Sequence, residues 1–170
     1  MNKRKWLALA LAAMMMLLGL VACGDKGADD GDLAPSDYLP DAKPPLDIAI
    51  TDCLSAAEVS TIMGMTMTAS DPYEHGTWVV YSSEDGLHSV SVSMENTTIP
   101  LYDAMIAELS SGEAESSLGY RAFWYGLTGE MINYCEGYSI AVSVNDPTVS
   151  STKGLCQAVM KKIVDNLQAK

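Results

Sequence analysis

The stretch from Tyr81 to Asn96, YSSEDGLHSVSVSMEN, limits the architecture of this chain more than any other. Asp85-Gly86 is a tight-turn dipeptide, and on both sides of it apolar and polar residues alternate with the two-residue period of a strand. Val79 and Tyr81 before the turn, with Val90, Val92 and Met94 after it, then share one face, while Ser89, Ser91 and Ser93 face outward. The spacing pairs position 83 with 88, 81 with 90 and 79 with 92. An antiparallel sheet with one apolar face requires a covering layer.

The flanking sequence supplies that layer. Ser55 stands three residues before Glu58, as in a capping box, and Val59, Ile62 and Met63 recur at helical spacing before Gly64, which predicts a helix over 56–63. Met65 and Met67 alternate with Thr66 and Thr68 as in a short strand. Pro100 opens a second helix with Leu101, Tyr102, Met105, Ile106 and Leu109 as its stripe, ending in the polar SSGEAESS loop. Strands are then expected over 120–125, 130–135 and 138–144, separated by turns at Gly126 to Gly129 and at Glu136-Gly137. A last helix over about 149–168 carries Leu155, Cys156, Val159, Met160, Ile163, Val164 and Leu167 on one face. No βαβ crossover of adequate length is present. The expected class is α+β: an antiparallel sheet of about six strands with helices mainly on one face. The likeness of YSSEDGLHSVSVSMEN to YCEGYSIAVSVND, from Tyr134, suggests two αβββ halves followed by the C-terminal helix.

Ahead of this domain, Lys3, Arg4 and Lys5 precede a run from Trp6 to Ala22 without a charge, closed by Leu20-Val21-Ala22-Cys23. The layout resembles a bacterial lipoprotein signal with its lipobox. The resemblance implies cleavage of residues 1–22, lipidation of Cys23 by two or three acyl chains such as palmitate, and stable anchoring to membrane lipid. The expected localisation is the cell envelope: the outer face of the cytoplasmic membrane, or the outer membrane. Residues 24–47 hold seven aspartates and the prolines Pro35, Pro40, Pro44 and Pro45, so 23–47 reads as the lipidated cysteine and a flexible tether, and 48–170 as one extracytoplasmic domain. Loss of Lys3, Arg4 and Lys5 leaves seven basic against 22 acidic residues, a formal charge of −15, which argues against nucleic acid as a partner.

Three cysteines remain: Cys53, Cys135 and Cys156. In an oxidising compartment one disulfide and one free thiol is the simplest accounting. If the last helix runs back along the preceding strand, Cys156 lies about 10 Å past the helix start, and Cys135 lies beyond the far end of a strand of roughly 23 Å. That mismatch favours Cys53 with Cys156 and leaves Cys135 a buried thiol, with the other pairings open. There is no C-x-x-C and no histidine near a cysteine, so no redox or metal role is expected. Asp71, Glu74 and His75 share a loop that reads as a polar turn rather than a metal site.

No serine or cysteine has the spacing of a nucleophile with its base, and no cofactor motif occurs, so the chain reads as non-catalytic. Arg121 is the only arginine left after the signal, within Tyr120-Arg121-Ala122-Phe123-Trp124-Tyr125. Alternation places large aromatics on both faces of this strand. Arg121, Trp124 and Tyr125 are therefore the candidate ligand residues, for an anionic or sugar-like ligand; the competing reading has Arg121 paired with a carboxylate and the aromatics covering the sheet.

The segment Cys53-Leu54-x-x-x-Glu58-Val59, with Met63-Gly64 closing its helix, resembles the opening of the domain in several uncharacterised actinobacterial lipoproteins, whose folds are similar to extracellular sensor domains of membrane kinases. The odd cysteine count departs from that pattern. The resemblance assigns no activity and no site. Taken together, the residues lead to a lipid-anchored, non-catalytic binding module for an envelope protein or a small ligand. The alternative is a structural or envelope-assembly factor, and an envelope hydrolase comes last.

Overall fold

The structure is a computed structural model in which residues 48–73, 76–109, 112–118 and 122–170 are described. Residues 1–47, with Cys23 and its flanks, and also His75 and Arg121, lie outside them. The chain runs α1 (Ile50–Cys53), α2 (Ala56–Met63), β1 (Met67–Ala69), β2 (Trp78–Ser83), β3 (Ser89–Asn96), α3 (Ile99–Glu108), β4 (Glu113–Ala114), a 3-10 turn (Ser116–Leu118), β5 (Phe123–Tyr125), β6 (Glu130–Cys135), β7 (Tyr138–Asn145) and α4 (Lys153–Gln168). The strands form one antiparallel sheet in the order β1-β2-β3-β7-β6-β5-β4. The class is α+β, as the alternation predicts. The strand beyond the expected six is β4, two residues inside the polar loop that pair Glu113 with Trp124 and Ala114 with Phe123.

Local chemistry sets the element ends. Ser55 caps α2: its hydroxyl accepts from the Glu58 N–H at 3.3 Å, and its own N–H donates to the Glu58 carboxylate at 2.8 Å. Gly64 stops the same helix at φ +68°, the left-handed region that glycine enters without strain. In the first hairpin Val79 faces Val92 and Tyr81 faces Val90, and the Ser83 N–H donates to the His88 carbonyl at 3.0 Å. α4 begins at Lys153 rather than near 149. The Asp146 carboxylate accepts from the Thr148 N–H at 2.9 Å and from its hydroxyl at 2.6 Å, and this turn holds the chain out of the helix.

The sheet has two unequal covers. On its larger face Val79, Tyr81, Val90, Val92, Met131, Ile140 and Val142 pack with Val59 of α2 and Val159, Met160, Ile163 and Leu167 of α4. Each side chain fully buried there contributes roughly 1.5–3 kcal/mol. The Tyr81 hydroxyl donates to the Leu54 carbonyl at 2.5 Å, tying the sheet to the segment between α1 and α2. On the other face α3 sets Tyr102 and Ile106 against Tyr125 and Ile132. Three of the four helices in the described residues thus share one face. With β4 set aside, the strand order is symmetric about the β3–β7 pair. However, Tyr81 belongs to the larger core, whereas its sequence counterpart Tyr134 packs 5.6 Å from Tyr102 on the opposite face. The helices opening the halves, α2 and α3, are likewise on opposite faces. A two-fold axis normal to the sheet preserves faces, so no such rotation relates the two halves.

The domain has two distinct ends. At one, the Thr97 N–H donates to the Gly137 carbonyl of the β6–β7 turn at 2.8 Å. The last turns of α4 also lie at this end, where the Asn166 amide donates to the Cys53 carbonyl at 2.8 Å. α1, the first element of the described residues, lies at this end through the same bond. At the other end lie the β2–β3 turn, the β5–β6 turn and the β7–α4 loop. Asn145 donates to the Leu87 carbonyl at 2.7 Å there, and the Cys156 thiol donates to the Gly129 carbonyl at 3.9 Å.

Candidate interaction surface

Trp124 and Tyr125, expected to line a ligand groove with Arg121, are each 7% exposed. They are neighbours on one strand and so point to opposite faces: Trp124 joins the larger core and Tyr125 packs beneath α3, where Gly112 leaves room for its ring. The two do not form one surface, and Arg121 is outside the described residues.

Cys53 and Cys156 are not brought together either. Cys53, Cys135 and Cys156 are all buried free thiols. α1 sits over the last turns of α4 through Asn166, whereas Cys156 lies ten residues earlier on that helix, about 15 Å along its axis. A disulfide spans roughly 4.4–6.8 Å between Cα atoms. The expected pairing placed α1 at the wrong end of the helix. Burial, with Glu136 and the neighbouring Cys53 adding to it, pushes the Cys135 thiol up to about 11.

Of the five large apolar side chains exposed among the described residues, Tyr73 and Leu101 stand apart and three lie at the loop end. Leu127 at the tip of the β5–β6 turn is 93% exposed, Leu87 of the β2–β3 turn 52% and Val149 of the β7–α4 loop 41%. Single exposed aliphatics are ordinary; three on adjacent loops at one end of a sheet form a rim suited to contact. Glu84 and Asp85 are also exposed there, and Lys153 is held by Glu113 at 2.8 Å. The rim is therefore apolar with an acidic border.

Behind the rim lies His88, 9% exposed, on the same face of β3 as Val90. Its Nδ1 is 3.7 Å from the Asp85 carboxylate and its Nε2 is 3.5 Å from that of Asp146. Neither nitrogen has a hydrogen-bond partner among the described residues. Hydrogen bonds from the Ser83 hydroxyl and the Leu87 N–H hold the Asp85 carboxyl below the usual range, and those from the Thr148 hydroxyl and N–H do the same for Asp146.

The outer face of β2 and β3 offers a second, polar surface. Trp78 lies half-buried with its indole N–H on Ser91 at 2.6 Å, and the exposed Tyr73 ring is tilted against it at 5.5 Å. A shallow hollow of about 180 Å³ between the 3-10 turn and α4 is lined by Ser117, Leu118, Lys161, Val164, Asp165 and Gln168. Lys161 and Asp165 neutralise each other within it, at 2.9 Å. Among the described residues no three His, Cys, Asp or Glu converge as metal ligands, and no helix is long and apolar enough to cross a membrane.

Sequence reasoning passed over Leu127, Leu87 and Val149. The available signal was an aliphatic residue inside each of three polar turns, as in Gly126-Leu127-Thr128-Gly129. His88 had no such signal, because Asp146 is 58 residues away. Comparison with protein-family models, curated proteins and solved structures finds no match.

Proposed function

We propose that the chain is a lipid-anchored extracytoplasmic lipoprotein whose domain is a non-catalytic binding module for an envelope protein, docking through the loop end. The observation that carries this reading is the placement of Leu127, Leu87 and Val149 together at the end opposite α1. An attachment on the N-terminal side of α1 leaves the opposite, loop end free for a partner. Burial of the three aliphatic side chains drives docking at roughly 25 cal/mol per Å², and the acidic border selects a partner with basic residues around its own apolar patch.

A photo-crosslinking residue placed at Leu127, Leu87 or Val149 of the full lipidated protein, in cells, tests this. The expected result is one discrete protein adduct at all three positions, absent at the control position Leu101 on α3 and abolished by a charged residue at a second rim position. Equal adducts at every position, or adducts to lipid and wall fragments alone, overturn it.

The paired Tyr73 and Trp78 beside Ser91 and Ser93 favour a second reading, a sugar-like envelope ligand, since aromatic faces stack on sugar C–H groups while hydroxyls bond their edges. Binding of wall glycan fragments that is lost in Trp78→Ala and kept in Leu127→Asp would select it.

A further inference from the structure

A neutral imidazole has one N–H and one lone pair, so in the His88 site one carboxylate always faces a nitrogen that cannot donate to it. The imidazolium has two donors, one for each side. Only the charged ring can donate to both sides here: Asp85 stands 3.7 Å from Nδ1 and Asp146 stands 3.5 Å from Nε2, and among the described residues both buried ring nitrogens are otherwise unpartnered. Charge-assisted hydrogen bonds run about 2.7–2.9 Å, so closing both gaps draws the two carboxylates inward by under about 1 Å each.

We infer that His88 is a protonation-dependent clasp that, on taking a proton from solvent, ties the β2–β3 turn to the β7–α4 loop and fixes the spacing of Leu87 and Val149. Asp85 comes from the first of these segments and Asp146 from the second, each one or two hydrogen bonds from the backbone that carries the aliphatic residue. The Asp85 carboxylate accepts from the Leu87 N–H itself at 2.9 Å. Asn145 already links the same segments through the Leu87 carbonyl. The charged groups on the other elements packed nearby are committed elsewhere. Lys153 of α4 is held by Glu113, Cys156 points to the Gly129 carbonyl, and Glu84 of the β2–β3 turn is exposed to solvent. As regulation of the loop end, the inference rests on the docking role proposed above; as a statement about the fold, it stands by itself.

The test uses the full lipidated chain in nanodiscs, following the His88 ring carbon and the Leu87 and Val149 methyl groups by NMR across about pH 5 to 8. The three signals are expected to move with one midpoint, and the methyl transitions to vanish in His88→Gln. Asp146→Asn, which keeps a side-chain oxygen for the Thr148 turn, is expected to shift that midpoint to lower pH. Methyl groups that stay fixed while the ring titrates, methyl transitions that persist in His88→Gln, or an unmoved midpoint in Asp146→Asn overturn the clasp. Crosslinking at Leu127 at both ends of the pH range separates the two ideas. An adduct that ignores pH leaves the docking reading intact and refutes the regulation, whereas coupled NMR transitions with no adduct at either pH establish the clasp and refute the docking reading.

Discussion

Asn166, in the last turn of α4, donates its side-chain amide to the carbonyl of Cys53 at 2.8 Å and to the Glu58 carboxylate at 3.2 Å. One side chain thus closes the end of α1 and the start of α2 against the C-terminal helix. Asn166→Ala leaves the Cys53 carbonyl unpaired in a fully buried residue and is expected to cost about 1–3 kcal/mol. A lowered urea midpoint with an unchanged denaturant slope checks this.

Glu58 gives the fold an acid-sensitive joint. Burial acts to raise its pKa, but hydrogen bonds from the Ser55 backbone and hydroxyl, then from Lys162 and Asn166, outweigh it and hold the carboxyl at about 2. A carboxyl depressed in the folded state stabilises fully above its unfolded value of about 4.3, and the contribution drains away as pH falls toward 2. Glu58→Gln is therefore less stable than the native chain at neutral pH, and the gap narrows between about pH 5 and pH 2. Urea midpoints across that range read it directly. Ser55→Ala is expected to cost about 1 kcal/mol at neutral pH.

Burial is the first cause that raises all three domain thiols, with Cys135 and Cys156 pushed up to about 11. The thiolate is the reactive form, so iodoacetamide at pH 8 is expected to label none of them in the folded protein. In urea without reductant all three should label. A single labelled cysteine would instead show that two had paired, and peptide mapping would identify which.

The rim and the core should separate cleanly. Leu127→Asp is expected to change stability by less than about 0.5 kcal/mol, because the side chain touches little but water. Met160→Ala, in the centre of α4 and fully buried, is expected to cost about 2–5 kcal/mol. Thermal unfolding of the two variants beside the native chain measures both.

The features legible in the sequence are those specified over a few residues. The Ser55 and Glu58 cap, the stop at Gly64, the pairing of Val79 with Val92 and the inward face of α4 all follow from spacings within one element or one turn. The start of α4 was placed early because the Asp146 turn competes with helix using side-chain hydrogen bonds that periodicity does not register. What depends on distant partners was hidden. Trp124 and Tyr125 look alike in a strand that is aromatic on both faces, and only the position of α3 shows that both faces are covered. Cys53 could be assigned to an end of α4 only once Asn166 was seen to hold it. The candidate rim was overlooked for a related reason: three turns become one surface only through the order of the strands.

The sheet ends in β1 at one side and β4 at the other, strands of three and two residues. Crowded molecules collide far more often than dilute ones, and an open sheet margin is where such collisions turn into ribbons of added strands. Among the described residues a passing copy finds only a few unpaired backbone groups on either margin, with Glu113 of β4 already bound to Lys153. Short margins of this kind leave crowded copies of the domain as separate molecules.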